Sequence, residues 1–338
     1  MKRTLGLFAG AITAAILSAC GNPTPITSGS PSPGPTITPF ASSEYSALTA
    51  ASQPTGVSKG IDGSVWFTET ASNRIGKLTT SAVVSEYAVV TPGALPLMIT
   101  SGPDGFLWFT ESGTNQIGKI NTTETTFDEY PLPNPLSRPW GITTGPDGAL
   151  WATDPGANEI LRVQTNGIAT MYPLTTPNAD PTAITSGPNG QVWFVEAAAN
   201  KVGAITPGAA AGTPPTEYPV SAGAGLGVIV PGPDGALWFT ETTSDKIGRM
   251  LPNGTLASET TLAPMVKPFG LTVGADGNFY IGDETASTIA QYIISTNKVT
   301  PYKTITPNAG VYWVTLGADS EVYFSEQAVN KIGQFRYF

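Results

Sequence analysis

Histidine is absent from this chain of 338 residues, and cysteine occurs once, at Cys20. Imidazole is the side chain that takes up a proton near neutral pH, so general-base catalysis by histidine is excluded. A single cysteine excludes internal disulfides and sites built from several thiolates. A Ser or Cys nucleophile with a His partner and a glycine-rich phosphate loop are missing as well.

Charge is also scarce. Charged residues make up 12% of the sequence, about half of the usual share, and acids outnumber bases by 25 to 16. Removal of an N-terminal signal with Lys2 and Arg3 leaves a net charge of 14 − 25 = −11. An acidic chain with few, scattered bases argues against nucleic acid and against anionic lipid as partners.

A motif of turn, strand, turn and strand occurs seven times, and Gly102–Ile120 (GPDG-FLWFTE-SGTN-QIGKI) shows it in full. In its turn, Pro103 supplies a φ of about −65° and Gly105 the positive φ that a tight reversal needs. One aromatic residue marks each copy, at intervals of 41 to 45 residues: Trp66, Trp108, Trp151, Trp193, Trp238, Phe279 and Tyr323. Such a period is typical of propeller blades. We therefore predict an all-β fold, a seven-bladed β-propeller of four-stranded antiparallel blades.

A small polar residue follows each predicted second strand. These residues are Asn73, Asn115, Asn158, Asn200, Asp245, Ser287 and Asn330. Their side chains are of the kind that bonds nearby backbone and closes a turn. We expect them to shape the loop between the second and third strands of every blade.

The outer strand of a blade is marked by an acid or a small residue before an aromatic, as in Glu86-Tyr87 and Glu129-Tyr130. The last repeat has no such pair after its third strand, whereas Glu44-Tyr45 supplies a spare pair ahead of the first inner strand. We predict that this N-terminal strand pairs into the last blade and closes the ring, which removes an open sheet edge.

The N-terminal segment is distinct from the repeats. Two bases precede the apolar run Leu5–Ala19, which is short for a membrane span and typical of a secretory signal. The run ends in Leu-Ser-Ala-Cys at Cys20, which resembles the bacterial lipobox, where the cysteine is acylated and becomes the mature N-terminus. An ordinary signal peptide with an incidental cysteine is the alternative interpretation.

Three segments follow from these patterns. Residues 1–20 are predicted to be a lipoprotein-type signal peptide, and residues 21–43, rich in Pro, Ser, Thr and Gly, a tether that cannot bury a core. Residues 44–338 are predicted to be the propeller. Acyl chains on Cys20 would then be its only attachment to a membrane.

One face of the predicted propeller combines acids with aromatic residues. The acids that end the second strands are Glu69, Glu111, Asp154, Glu196, Glu241, Asp283 and Glu326. Fourteen residues before each acid lies the start of a first strand, which we call a mouth position: Thr55, Leu97, Trp140, Thr182, Gly227, Phe269 and Tyr312. In an antiparallel blade both sets reach the same face, where we expect them to surround the central mouth, a common kind of ligand site.

Both sets have two interpretations. The acids could accept N–H bonds from the following turn or pair with bases such as Arg74, Lys201, Lys246 and Lys331. Alternatively, some of them bind a cation, since crowded carboxylates raise one another's pKa unless a cation compensates. Trp140, Phe269, Tyr312 and Trp313 either plug the channel or bind an apolar ring or a cationic group.

The repeat P-x-G-I-T-x-G-P-D-G-x-L-W-F-T-E-x-x-x-N-x-I-G-K/R, as in Pro139–Asp154 and Gly102–Ile120, resembles that of the virginiamycin B lyase (streptogramin lyase) propellers. The resemblance covers about residues 43–338. It implies a metal-assisted elimination that opens the ester linkage of a cyclic depsipeptide antibiotic. It also implies a His base at the mouth position of the last blade, a second His one blade earlier, and two acids that bind Mg²⁺.

Carried over to this sequence, the base position holds Tyr312 and the second His position holds Phe269. The two acid positions hold Gly310 and Glu326, so only Glu326 keeps its chemistry. Blade four keeps the acid pattern with Asp180 and Glu196 but has a threonine where the base is needed. A phenol with a reference pKa of about 10 is a poor base at neutral pH. The family reaction is therefore not expected.

We expect a lipid-anchored propeller of the bacterial cell envelope, facing the periplasm or the exterior, monomeric and without a catalytic residue. Its mouth, with Asp180 among the candidate ligand residues, is expected to bind a small molecule, a peptide or a glycan. No cofactor is certain, and Mg²⁺ is implied only by the resemblance. The alternative is a diverged metal-assisted carbon-oxygen lyase for streptogramin B-type depsipeptides, or a hydrolase that uses mouth carboxylates.

A Cys20→Ser substitution tests the anchor. Without the thiol no acyl chain can be attached, so the variant is expected to leave the membrane fraction or to remain unprocessed. Fractionation followed by mass determination of the N-terminus measures both. A variant that stays with the membrane and is cut at the same bond would contradict lipidation.

Overall fold

A computed structural model describes residues 41–337, and this part of the chain forms an all-β domain. The predicted signal peptide, Cys20 and nearly all of the predicted tether lie outside the described residues. Among residues 41–337, no helix has the length and apolar character needed to cross a membrane.

The described chain forms seven antiparallel sheets of four strands, numbered here as blades 1 to 7 in chain order. The first, innermost strands are β2 (Pro54–Lys59), β6 (Pro96–Ser101), β10 (Ile142–Thr144), β14 (Pro181–Ser186), β18 (Leu226–Pro231), β22 (Pro268–Val273) and β26 (Val311–Leu316). The second strands are β3 (Val65–Glu69), β7 (Leu107–Glu111), β11 (Leu150–Asp154), β15 (Val192–Glu196), β19 (Leu237–Glu241), β23 (Phe279–Asp283) and β27 (Val322–Glu326). The second strands are buried along their whole length, as expected for sheets stacked against neighbours on both faces.

The two outer layers complete each blade. The third strands are β4 (Arg74–Leu78), β8 (Gln116–Ile120), β12 (Glu159–Val163), β16 (Lys201–Ile205), β20 (Lys246–Met250), β24 (Thr288–Ile293) and β28 (Lys331–Arg336). The outer strands are β5 (Val84–Ala88), β9 (Phe127–Pro131), β13 (Ala169–Pro173), β17 (Thr216–Pro219), β21 (Leu256–Thr261), β25 (Lys298–Lys303) and β1 (Ala41–Ser46). A single 3₁₀ turn within the described chain, Gln327–Val329, joins β27 to β28.

The ring closes as predicted. Strand β1 pairs with β28 as the outer strand of blade 7, with Tyr45 opposite Ile332. The inner strand of blade 7 contacts that of blade 1, so the seven inner strands surround a common axis. Glu44 accepts hydrogen bonds from the Thr306 N–H (2.7 Å) and from the Lys331 ammonium (2.7 Å). Strand β1 begins at Ala41, three residues before the predicted start of the domain.

A buried aromatic ring in each second strand is tied to the turn that precedes it. The Trp66 indole donates to Asp62 Oδ1 at 3.0 Å, and Asp62 also pairs with Lys77 at 2.8 Å. In blade 6 this position belongs to Tyr280 and not, as predicted, to Phe279, because Tyr280 lies opposite Thr272 as Trp66 lies opposite Ser58. Successive strand residues face opposite sides of a sheet, so Phe279 packs on the other face.

Truncation tests the closure. Removal of residues 1–40 is expected to leave the melting temperature unchanged, because β1 is kept intact. Removal of residues 1–46 takes away β1 and Glu44 and exposes the edge of β28. We expect this truncation to cause aggregation or to lower the free energy of unfolding by several kcal/mol, out of a total of about 5–15 kcal/mol for a typical domain. Circular dichroism melts and gel filtration compare the two, and equal melting temperatures would contradict the closure.

Candidate functional site

The mouth positions are fixed by hydroxyl groups in the second strands. Thr110 accepts a hydrogen bond from the Met98 N–H in its own blade (3.0 Å) and donates to the Trp140 carbonyl in the next blade (2.8 Å). Thr240 likewise donates to the Phe269 carbonyl at 2.7 Å. The hydroxyl residues at this place are Thr68, Thr110, Thr153, Thr240 and Ser325. The contacts that join the blades therefore also set the backbone of the mouth.

A second ring of residues, which we call the rim positions, lies two residues before the mouth positions. These are Gln53, Leu95, Arg138, Asp180, Gly225, Lys267 and Gly310. All except Arg138 have a left-handed φ, between 49° and 74°. The turn residues predicted from the Asn pattern hold several of them: Asn73 accepts from the Leu95 N–H at 3.3 Å, and Asp245 from the Lys267 N–H at 2.9 Å. These turn side chains bond backbone as predicted, but the groups that they hold belong to the connection into the next blade and not to their own turn.

The four aromatic candidates meet in one cluster. Phe269 stacks on Tyr312 with ring centroids 4.3 Å apart and planes at 19°. Trp140 lies 6.5 Å from Phe269 and 6.0 Å from Trp313. The rings belong to blades 3, 6 and 7 and are all half-buried, so they meet across the channel and still present surface to solvent. The two interpretations of these residues are therefore compatible, since one cluster both packs the channel and forms part of the face.

Tyr312 is a neutral phenol in this setting. Burial and the nearby Glu284 carboxylate raise the pKa of Tyr312 well above its ordinary value. Glu284 itself pairs with the Lys267 ammonium at 2.6 Å. The sequence reasoning did not single out Glu284, although it directly follows the strand-end acid Asp283 on the same face.

Two depressions flank the aromatic cluster on this face. The first, of about 430 Å³, is lined by Ala51, Gln53, Ala71, Glu284, Gly310, Gln327, Ala328 and Asn330. The second, of about 390 Å³, is lined by Leu97, Ser112, Arg138, Trp140, Pro155, Gly156 and Asp180. Asp180 thus shares a depression with Trp140, whereas Glu284 lines the other depression.

The seven strand-end acids do not line the mouth, contrary to the expectation from the sequence. Glu69, Glu111, Asp154, Glu196, Glu241, Asp283 and Glu326 are all completely buried. A Cβ atom added at Gly118 in the third strand would lie 2.4 Å from Glu111 Oε1, so this side chain crosses the third strand toward the outer strand. The ion pairs expected from the sequence also differ, because Lys201 and Lys331 pair with Glu217 and Glu44 of the outer strands instead.

In five blades the buried glutamate faces a second glutamate on the outer strand, and we call these the carboxyl pairs. They are Glu69/Glu86, Glu111/Glu129, Glu196/Glu217, Glu241/Glu259 and Glu326/Glu44. Burial, and then the outer carboxylate, raises the pKa of Glu69, Glu111 and Glu326 to about 8. Among the described residues, neither carboxyl oxygen of Glu196 or Glu326 has a donor. A proton on the inner glutamate would let one of its oxygens donate to the outer carboxylate, because only a protonated carboxyl can donate.

The outer glutamates hold the connections between blades. Glu129 accepts from the Thr91 N–H at 2.9 Å, and Glu217 from the Thr175 N–H at 2.8 Å. Burial opposes ionisation of Glu217, yet hydrogen bonds from Thr176 and Lys201 lower its pKa to about 2. Each carboxyl pair therefore combines a buried inner acid whose pKa is raised with an outer glutamate that fixes the loop arriving from the previous blade.

Blades 3 and 6 use a shorter acid. Asp283 accepts hydrogen bonds from the backbone N–H groups of Val266 (2.7 Å), Thr285 (3.0 Å) and Ala286 (2.9 Å). Asp154 accepts from the Arg138 N–H at 2.8 Å. In these two blades the backbone N–H groups supply donors to the buried acid, and the outer strand carries no glutamate opposite it.

The positions that the resemblance assigns to Mg²⁺ do not fit the ion. Gly310 offers no side-chain ligand, and Glu326 is buried beside Glu44 with a pKa of about 8, so it is largely neutral at pH 7. No group of three or more acids within residues 41–337 is placed to hold a metal ion.

The fold and the mouth define a class, a seven-bladed propeller with an aromatic cluster at one end of its channel. The virginiamycin B lyase family model matches residues 37–214 and 209–337, which together span most of the chain. The chain belongs to this family.

Solved structures agree with this assignment. A streptogramin B lyase is 33% identical, with a TM-score of 0.82, and the match covers 88% of this chain and 98% of that one. A catalytically inactive virginiamycin B lyase from Staphylococcus aureus, solved with quinupristin, is 30% identical, with a TM-score of 0.82 and coverage of 88% and 100%. Hydrazine synthase from Kuenenia stuttgartiensis shares the fold alone, at 14% identity and a TM-score of 0.71. The curated proteins contain no match.

The carboxyl pairs predict a pH dependence. The pKa of an inner glutamate is raised in the folded protein. Its contribution to the free energy of unfolding is therefore fully present below pH 4.5 and declines as the pH rises to about 8. Glu69→Gln or Glu326→Gln, which mimic the neutral acid, should leave stability at pH 5 nearly unchanged and raise it by roughly 1–3 kcal/mol at pH 8.5. Urea unfolding at the two pH values measures this.

Asp283→Asn is the matched control. Its carboxylate accepts several backbone N–H bonds, so the amide should destabilise the fold by roughly 1–3 kcal/mol at both pH values. If the glutamine variants lost as much stability at pH 8.5 as this control, the inner glutamates would be ionised and the carboxyl pairs would be wrong.

Proposed function

We propose that this protein is a ligand-binding propeller that does not carry out the elimination of its family, held at the bacterial cell envelope by lipid on Cys20. The observation that carries the proposal is the state of Tyr312. This residue stands where the resemblance puts the general base, stacks on Phe269 at 4.3 Å, and has a raised pKa. At neutral pH it holds its proton and cannot take another.

The residues at the other family positions also support the absence of the family elimination. The position of the second base is occupied by Phe269, an apolar ring that can neither accept nor donate a proton. Glu326 is turned into blade 7 toward Glu44 and is largely neutral at pH 7. General-base catalysis typically contributes about 10²–10⁴ in rate, so its loss alone would remove most of the turnover.

Binding is supported by what remains on the face. Trp140, Phe269, Tyr312 and Trp313 form one cluster of half-buried rings, and Trp140 of this cluster lines the depression of about 390 Å³. Concave sites lined by aromatic rings with a few polar groups are the usual form of small-ligand sites. The inactive relative solved with quinupristin is a propeller that holds a ligand without turnover.

Incubation with quinupristin and Mg²⁺ tests the proposal. We expect binding without ring opening, since neither Tyr312 nor Phe269, which hold the two base positions, can remove the proton that elimination requires. Calorimetry measures binding, and chromatography with fragmentation mass spectrometry follows the ring. Hydrolysis would add the mass of one water, whereas elimination opens the ring without a change in mass.

Metal-dependent ring opening that Glu326→Gln abolishes would overturn the proposal in favour of the diverged lyase or hydrolase. Glu44→Gln is the control for that variant, because it changes the other member of the same carboxyl pair. An effect confined to Glu326→Gln would indicate chemistry, and an equal effect of both would indicate a change in blade 7.

A further inference from the structure

The 390 Å³ depression beside Trp140 carries two opposite charges without partners. Arg138 and Asp180 occupy the rim positions of blades 3 and 4, so they are neighbours around the ring. Both are exposed, and neither side chain forms an ion pair or a hydrogen bond with any residue in 41–337. Their charged ends are therefore free to meet a ligand.

The backbone at both residues is held in place. The Arg138 N–H donates to Asp154 at 2.8 Å, and its side-chain stem lies over Gly156, where an added Cβ would come within 2.8 Å of Arg138 Cγ. The Asp180 carbonyl accepts from the Ala197 N–H at 3.0 Å. Asp180 has a φ of 55°, a conformation that costs most L-residues roughly 1–2 kcal/mol and that Asp tolerates better than most. Fixed backbones with free charged ends are suited to ligand binding.

Lys267 provides a contrast on the same ring. It also occupies a rim position with left-handed φ, but its ammonium is paired with Glu284 at 2.6 Å. The charge of Lys267 is thus balanced within the protein, and those of Arg138 and Asp180 are not.

We propose that this depression binds a short amphoteric peptide, with a cationic group at Asp180, a carboxylate at Arg138, and an apolar side chain on Trp140 and Leu97. The proposal rests on the binding function above and narrows its ligand. A planar guanidinium is matched to a carboxylate, and an indole face to an apolar or aromatic side chain. A purely anionic ligand would be repelled by Asp180, and a purely cationic one by Arg138. A neutral glycan would leave both charges unpaired.

Calorimetry with the zwitterionic dipeptide leucyl-phenylalanine tests this assignment, with its N-acetylated and C-amidated forms as matched ligands. Each ligand modification should weaken binding to the unmodified protein by roughly two- to fivefold, the range of an exposed ion pair. Arg138→Gln and Asp180→Asn should do the same for the unmodified dipeptide. N-acetylation should cost nothing further in Asp180→Asn, nor amidation in Arg138→Gln.

Controls separate this inference from the proposed function. Lys267→Gln should bind the dipeptide as the unmodified protein does, and the indole N–H resonance of Trp140, identified with Trp140→Phe, should shift on binding. Asp180→Asn keeps a side chain that tolerates left-handed φ, and equal melting temperatures confirm that the variants fold.

Quinupristin binding without dipeptide binding would overturn this inference and leave the proposed function standing. Equal losses of affinity for all three dipeptides in Asp180→Asn would overturn it too, as would maltotriose binding that is weakened by neither charge substitution. Dipeptide binding with ligand-specific losses, even where quinupristin does not bind, would support it.

Discussion

The burial of a carboxyl group at the end of each second strand is the constraint on which the blades depend. An ionised carboxyl without donors is costly in an apolar interior, so each blade has to neutralise it or supply donors. In five blades burial and an outer-strand glutamate raise the pKa of this acid, which favours its neutral form, and in two blades backbone N–H groups bond an aspartate. The outer glutamate then holds the incoming connection, as Glu129 holds Thr91. One buried carboxyl group per blade thus links the second strand to the connection that arrives from the neighbouring blade.

Contacts between blades also set the position of the mouth. Second-strand hydroxyls such as Thr110 bond the strand start of their own blade and the mouth carbonyl of the next. Turn residues such as Asn73 hold the rim positions by their backbone N–H. Both devices act on backbone atoms and make no use of the mouth and rim side chains. The side chains that meet a ligand can therefore differ from blade to blade while the scaffold repeats.

The fold could be predicted from the sequence because the turn and strand motif has a fixed period and the spare Glu44-Tyr45 pair implies closure. One repeat was misaligned, since Phe279 and Tyr280 are adjacent aromatics and only strand pairing separates them. The position of the acids was misjudged because the sequence of a strand end does not show which way a long side chain turns. The sequence did hold a signal for this direction. Gly118, seven residues after Glu111, leaves room for the glutamate side chain, whereas the blade with the shorter Asp154 has a leucine at the corresponding position. The residues of the aromatic cluster could be predicted from the sequence. The unpaired charge of Arg138 could not, because the fold decides whether a charged side chain has a partner.

The residues that carry the family match are distinct from those at the mouth. The residues that carry the match, the turn glycines, the second-strand aromatics, the buried acids and the turn asparagines, all act in holding blades together. Chemistry in a propeller of this kind depends on mouth and rim side chains, and here these include Tyr312, Phe269 and Gly310. Exchange of such side chains leaves the bonds from the second-strand hydroxyls and the turn asparagines in place, because those bonds reach only their backbone. A propeller can therefore exchange side chains at its mouth while these contacts between its blades are kept.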